Sequence, residues 1–246
     1  MDIYQIVNRL NKIFYDYAVV ELNVRRKYNL AEKDIRFTYY RTCHHNIETT
    51  LHLLMMADTD LSNQNYLKDL YTKYSIPDRF EVYKDAGKPT PEILLDITGQ
   101  FIANGYFSNM YHLFENAFKI ICQEYDQSKY DIQNSKFANI FVKFMNEFKT
   151  KTHLVDGIDT DVYEYVQIVR NSIHNNGIFV SPKKNDRHNI KNFDGDILTI
   201  KHNQVIPVTN VWEDLFKMSN WFNMIFTGII SVPKIETRPL IIDQSQ

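Results

Sequence analysis

The sequence predicts a mainly α-helical bundle with an N-terminal helical extension and one small β-hairpin before the last helix. Three observations predict it. Apolar residues recur at three- and four-residue intervals along most of the chain, the period of an amphipathic helix. Two β-prone runs, 197–200 and 205–208, stand close together and are short. Prolines and glycines cluster at a few places and divide the chain into segments of helical length.

In order, residues 2–28 place Ile3, Ile6, Val7, Leu10, Ile13, Phe14 and Tyr17 on one stripe. Residues 31–57 read as a second helix, ending in Leu51, Leu53, Leu54, Met55 and Met56, and 63–74 as a third, short one. Breaks follow at Ile76-Pro77 and at 86–91, because proline removes an amide donor and disfavours helix just before it. The second break divides an N-terminal helical region, 1–86, from a helical domain, 92–246. A long helix runs from Pro91 to Tyr125, with bends available at Gly99 and Gly105, and gathers Phe107, Met110, Tyr111, Phe114, Phe118 and Ile121 on one face. Residues 136–148 repeat the pattern, and 159–175 form the next helix. After Gly177 the character changes, and the runs 197–200 and 205–208 pair as a hairpin across Lys201-His202-Asn203-Gln204. The last helix opens with Asn210 as N-cap and Glu213 three residues on, a capping-box pattern.

Composition narrows the function classes. Hydrophobic residues make up 44% and charged residues 24% of the 246, as in an ordinary globular chain. A net charge of −2 gives no bulk attraction to nucleic acid or anionic lipid, so any RNA contact must be local. Cys43 and Cys122 lie far apart in apolar-periodic segments, which suits buried free thiols in a reducing compartment. The N-terminus lacks the basic start and apolar run of a signal peptide. The apolar segment 221–232 is interrupted by Asn223, Thr227 and Gly228 and is too short to cross a bilayer. The expectation is a cytoplasmic protein without a membrane span. No phosphate-binding glycine loop, Gly-x-Ser-x-Gly elbow, CxxC or HExxH is present, and no cofactor is expected.

Chemistry concentrates in 163–177. Val162, Tyr165, Val166, Val169 and Ile173 form its core stripe, with Tyr163, Gln167, Arg170 and His174 on the flank. Arg170 and His174 are four apart, hence within about 40° of each other on a helix. A guanidinium can hold a scissile phosphate and stabilise its developing charge. An imidazole can take the proton of a ribose 2′-hydroxyl or return one to the leaving oxygen. That pair suits metal-free cleavage of RNA and not of DNA. One pair is half a site, and two copies across a symmetric dimer supply a base and an acid. The same residues also suit a plain helix end. Asn175-Asn176-Gly177 is a strong C-terminal signal, a histidine there complements the helix dipole, and Arg170 can pair with a carboxylate such as Glu115.

The run 170–177 resembles the signature of the HEPN superfamily, helical proteins of prokaryotic defence and toxin–antitoxin systems. Residues 107–119 are similar to the acidic, aromatic-rich early helix of these domains, and the likeness extends over roughly 92–230. It implies a bundle of helices, a homodimer formed through the motif helix, and metal-independent endoribonuclease activity in active members. It also implies a partner antitoxin or defence-system protein. By that match Arg170 binds phosphate, Asn171 is the accompanying polar residue and His174 is the acid–base. Active members usually place more residues between the arginine and the histidine than the three found here. The alternative expectation is therefore an inactive HEPN-like module that binds RNA or protein.

Two other clusters complete the candidates. Lys183, Lys184 and Arg187, with His188 and Lys191, form a basic stretch able to grip an RNA backbone, diluted by Asp186 and Asp194. His44, Glu48 and His52 share one face of the second helix at i, i+4, i+8, a spacing open to a divalent metal, but a solvated or interface face is favoured and no metal is expected.

Overall fold

The computed structural model describes residues 2–62, 73, 91–130, 135–151, 159–173, 178–180, 187–206 and 211–242. Among these the order is α1 (Ile3–Tyr28), α2 (Ile35–Ser62), α3 (Pro91–Tyr125), α4 (Phe137–Lys151), α5 (Tyr163–Ile173), β1 (Ile178–Phe179), β2 (Arg187–Lys191), β3 (Ile197–Lys201), β4 (Gln204–Val205), α6 (Val211–Ile230) and α7 (Pro233–Glu236). The protein is mainly α-helical, with two small antiparallel strand pairs. No described helix is long and apolar enough to cross a membrane.

Helix α1 begins with a capping box: the Asp2 carboxylate accepts from the Gln5 amide at 2.8 Å, and Gln5 reaches back to the Asp2 amide. It ends at Asn29, whose left-handed backbone (φ 47°) stops the helix after three basic residues that complement its dipole. Its buried stripe is Ile6, Leu10, Ile13, Tyr17 and Val24, interrupted only by Glu21. Helix α3 starts on Pro91, a residue suited to a first helical turn, and runs unbroken through Gly99 and Gly105.

Helix α1 packs on α2 and α6, and α2 packs on α3, which in turn meets α4, α5, α6 and α7. One continuous hydrophobic core joins them. The expected division at 86–91 falls outside the described residues up to Pro91, and the helices on either side of it share that core. The expected helix over 63–74 also lies outside them, Lys73 apart.

Aromatic rings fill the space between α3, α4, α5 and α6. Phe114 stacks on Phe222 at 4.2 Å, and Phe141 on Tyr163 at 4.2 Å. Three buried tyrosines on the other side of α6 satisfy their hydroxyls on its few polar atoms. Tyr17 donates to the Ser219 carbonyl at 2.8 Å, Tyr106 meets Ser219 Oγ at 2.9 Å, and Tyr40 meets Thr227 Oγ1 at 2.7 Å. Thr227 thus interrupts the apolar run of α6 because a tyrosine hydroxyl needs a partner there.

The small hairpin before the last helix is present, but its strands differ from those expected. Residues 197–201 pair with 187–191, with Asn189 opposite Thr199. The turn uses Gly195 at φ 85°, and Asn192 Oδ1 accepts from the amides of Asp194 and Asp196. Val205 pairs instead with Ile178. Two apolar runs are visible in the sequence, whereas Arg187-His188-Asn189-Ile190-Lys191 is too polar to be recognised as a strand. Its inward residue Ile190 lies opposite Leu198 and is buried, as is Ile200 of β3, so the pairing places both isoleucines in the core.

The second helix begins at Ile35, later than expected, because Asp34 bridges to Ile242 and the Ile35 amide donates to the Ile241 carbonyl at 2.8 Å. Asp34 and Arg36 are both fully buried and form an ion pair at 2.6 Å.

Candidate functional site

Helix α5 is held at its start. The Asp161 amide donates to Asp159 Oδ1 at 3.0 Å, and Trp221 Nε1 of α6 donates to the Asp159 carbonyl at 2.7 Å. The Tyr165 hydroxyl donates to Asp214 Oδ2 at 2.5 Å, and burial raises the Asp214 carboxyl above its ordinary range. Its buried residues are Tyr163, Tyr165, Val166, Ile168, Val169 and Ser172, a wider face than the expected stripe. Strands β1 and β2 cover a second side of the helix, which α3 already flanks. Tyr163, expected on the open flank, is in the core, stacked on Phe141 of α4. Glu164 and Asn171 remain exposed, with Gln167, Arg170 and Ile173 half-buried.

Arg170 stands in the last turn of α5, where a cation complements the helix dipole. Its Nη1 donates to Asn171 Oδ1 at 3.0 Å, and its guanidinium lies 5.6 Å from the centroid of the Tyr111 ring on α3. Glu115, the alternative partner on α3, is engaged by Lys119 at 2.6 Å. Arg170 makes no ion pair with a carboxylate among the described residues. Tyr111 and Tyr163 share a hydroxyl–hydroxyl contact of 3.3 Å. Burial pushes the Tyr111 hydroxyl up to about 12 and that of Tyr163 higher still, so both stay neutral and give Arg170 no counter-charge. The structure therefore brings Arg170 and Asn171 together and adds Tyr111, whose relation to Arg170 is too distant in sequence to leave a local signal.

His174, Lys183 and Lys184 lie outside the described residues. Arg187 is exposed at the start of β2, directly opposite Lys201 of β3. The other two members of the basic stretch face carboxylates: His188 Nδ1 lies 2.8 Å from Glu164, and Lys191 Nζ lies 2.5 Å from Asp159.

On α2, His44 turns towards the interior of the α1–α2 pair, with Nδ1 2.6 Å from the buried Glu21 carboxylate and Phe14 edge-on at 5.5 Å. No group of three His, Cys, Asp or Glu side chains comes together as a metal site among the described residues. Cys43 and Cys122 are free and buried.

No family model, curated protein or solved structure matches the chain. The likeness of 107–119 and 170–177 to HEPN proteins stands on those residues alone.

Proposed function

We propose that the chain is a HEPN-like, metal-independent endoribonuclease acting as a homodimer, in phage defence or in a toxin–antitoxin pair. One observation carries the proposal: Arg170 is half-exposed, held by Asn171, and unpaired with any described carboxylate. A guanidinium in that condition is available to an anion, whereas one neutralised in an ion pair is not. Arg170 binds the scissile phosphate and stabilises its charge. His174 moves the proton of the 2′-hydroxyl, whose oxygen then displaces the leaving oxygen at phosphorus and yields a cyclic phosphate end. The second histidine of the dimer protonates the leaving oxygen. Lys183, Lys184 and Arg187 hold the flanking backbone, and Lys201 stands beside Arg187 to join them.

Incubation of the purified protein with RNA in EDTA tests this. Cleavage is expected, with the rate falling about a hundredfold or more in Arg170→Ala and in His174→Ala. No cleavage, or equal cleavage by the variants, refutes it. The three-residue interval between Arg170 and His174 favours one other reading, an inactive HEPN-like module that binds RNA or a partner protein through the same surface. Binding of RNA without cleavage selects that reading.

A further inference from the structure

We propose that Tyr111 is a positioning residue whose ring, together with Asn171, holds the Arg170 guanidinium as a preformed receptor for one phosphodiester oxyanion. The inference rests on the phosphate-binding role of Arg170 given above.

The ring is itself packed on several sides. Tyr111 is buried, Phe137 meets it edge-on at 6.2 Å, Phe222 lies at 6.4 Å, and its hydroxyl is held by Tyr163. A guanidinium 5.6 Å from such a ring is attracted to its negative face. The bond from Nη1 to Asn171 Oδ1 fixes a second direction. A half-exposed arginine would ordinarily sample many rotamers and lose that freedom on gripping an anion. With one face against a packed ring and one N–H tied, less freedom remains to be lost. A guanidinium carries five N–H groups, and only one of them is used by a described residue. The remaining donors form a planar fork matched to two oxygens of a phosphodiester. The Tyr111 hydroxyl, which burial raises to about 12, adds no negative charge beside the cation.

A double-mutant cycle on binding, separate from cleavage, decides it. A fluorescent single-stranded 2′-O-methyl oligoribonucleotide, which lacks the attacking hydroxyl, is titrated at fixed salt against wild type, Arg170→Ala, Tyr111→Leu, Tyr111→Phe and the double variant Tyr111→Leu/Arg170→Ala. Arg170→Ala is expected to weaken binding about tenfold, and Tyr111→Leu about two- to fivefold. Tyr111→Phe, which keeps the ring, stays within about twofold of wild type. The double variant binds as Arg170→Ala does, because Tyr111 acts only through the guanidinium. If the Leu variant fails to fold by circular dichroism, phenylalanine and pentafluorophenylalanine incorporated at position 111 replace it. They share a shape and differ in the charge on the ring face, and the fluorinated ring is expected to bind more weakly. Additive losses in the cycle, or equal binding by the two rings, overturn the inference about Tyr111 alone. Equal binding by wild type and Arg170→Ala, or no binding by either, overturns it together with the phosphate role of Arg170.

Discussion

Replacing Arg36 by alanine opens a buried polar site whose donors are all satisfied. Arg36 is fully buried at the start of α2 and uses every N–H of its guanidinium. Nε and Nη2 donate to the two oxygens of Asp34 at 2.8 and 2.6 Å. Nη1 donates to the carbonyls of Ile235 and Glu236 at 2.8 and 3.2 Å, and Nη2 also to that of Arg238 at 2.9 Å. Asp34 in turn accepts from the amides of Arg36 and Ile241 at 2.9 and 3.1 Å. The pair thus fastens the start of α2 to α7 and the segment after it. Arg36→Ala strands a buried carboxylate, and breaking such a pair costs about 3–5 kcal/mol. For a chain of this length each kcal/mol moves the midpoint by about 2–4 °C, so a fall of roughly 6–20 °C is expected. Replacing both charges by apolar residues is often neutral in other proteins. Here Asp34→Leu/Arg36→Met also removes the partner of the buried Ile241 amide, worth about 1–3 kcal/mol, and those of the part-buried Glu236 and Arg238 carbonyls. The double variant therefore stays about 1 kcal/mol or more below wild type. Urea denaturation followed by circular dichroism measures both. A loss under about 1 kcal/mol in Arg36→Ala, or a double variant as stable as wild type, refutes the reasoning.

Three further outcomes follow from the buried titratable groups. Burial lowers the pKa of His44, assisted by His45 and opposed by Glu21 and Glu48, so the folded state binds this proton less tightly than the unfolded chain. Its contribution to stability is complete above the unfolded value of 6.5 and declines as pH falls through it; Glu21→Gln enlarges the decline, and equal pH profiles of wild type and variant would contradict this. The Asp214 carboxyl is raised chiefly by burial, with the Tyr165 hydroxyl holding it down, so its contribution to stability declines as pH rises from 3.8 through the raised value. Tyr165→Phe should raise the Asp214 pKa further in a carbon-13 NMR titration, and an unchanged value counts against the hydrogen bond. Burial pushes the thiols of Cys43 and Cys122 up, so an aromatic disulfide reagent at about pH 8 should label neither in the native protein and both in denaturant. Rapid native labelling would place a thiol at the surface.

Much of the fold was legible because helices leave a local imprint. The stripe from Ile6 through Leu10 and Ile13 to Tyr17 is buried as its spacing required, and so are Phe107, Met110, Tyr111, Phe114, Phe118 and Ile121 on α3. The strands were only partly legible. Ile197 to Ile200 was recognisable, but its partner carries Arg187, His188, Asn189 and Lys191, and a strand chosen by one buried isoleucine leaves almost no pattern. For the candidate site, the helix and the adjacency of Arg170 and Asn171 came from spacing, while the burial of Tyr163 came from the rings of α3 and α4 packed against it.

By itself the sequence determined what is local: the period of each helix, the proline and glycine breaks, and an arginine placed in the last turn of α5 beside an asparagine. Tertiary structure alone decided the non-local partners. Tyr111 meets Arg170 across two helices, Glu21 meets His44 inside the α1–α2 pair, and Arg36 closes on carbonyls near the other end of the chain. A helical repeat is set by neighbours three or four residues away and is written into every turn. A contact between distant segments depends on how whole faces pack, and no single stretch of sequence encodes it.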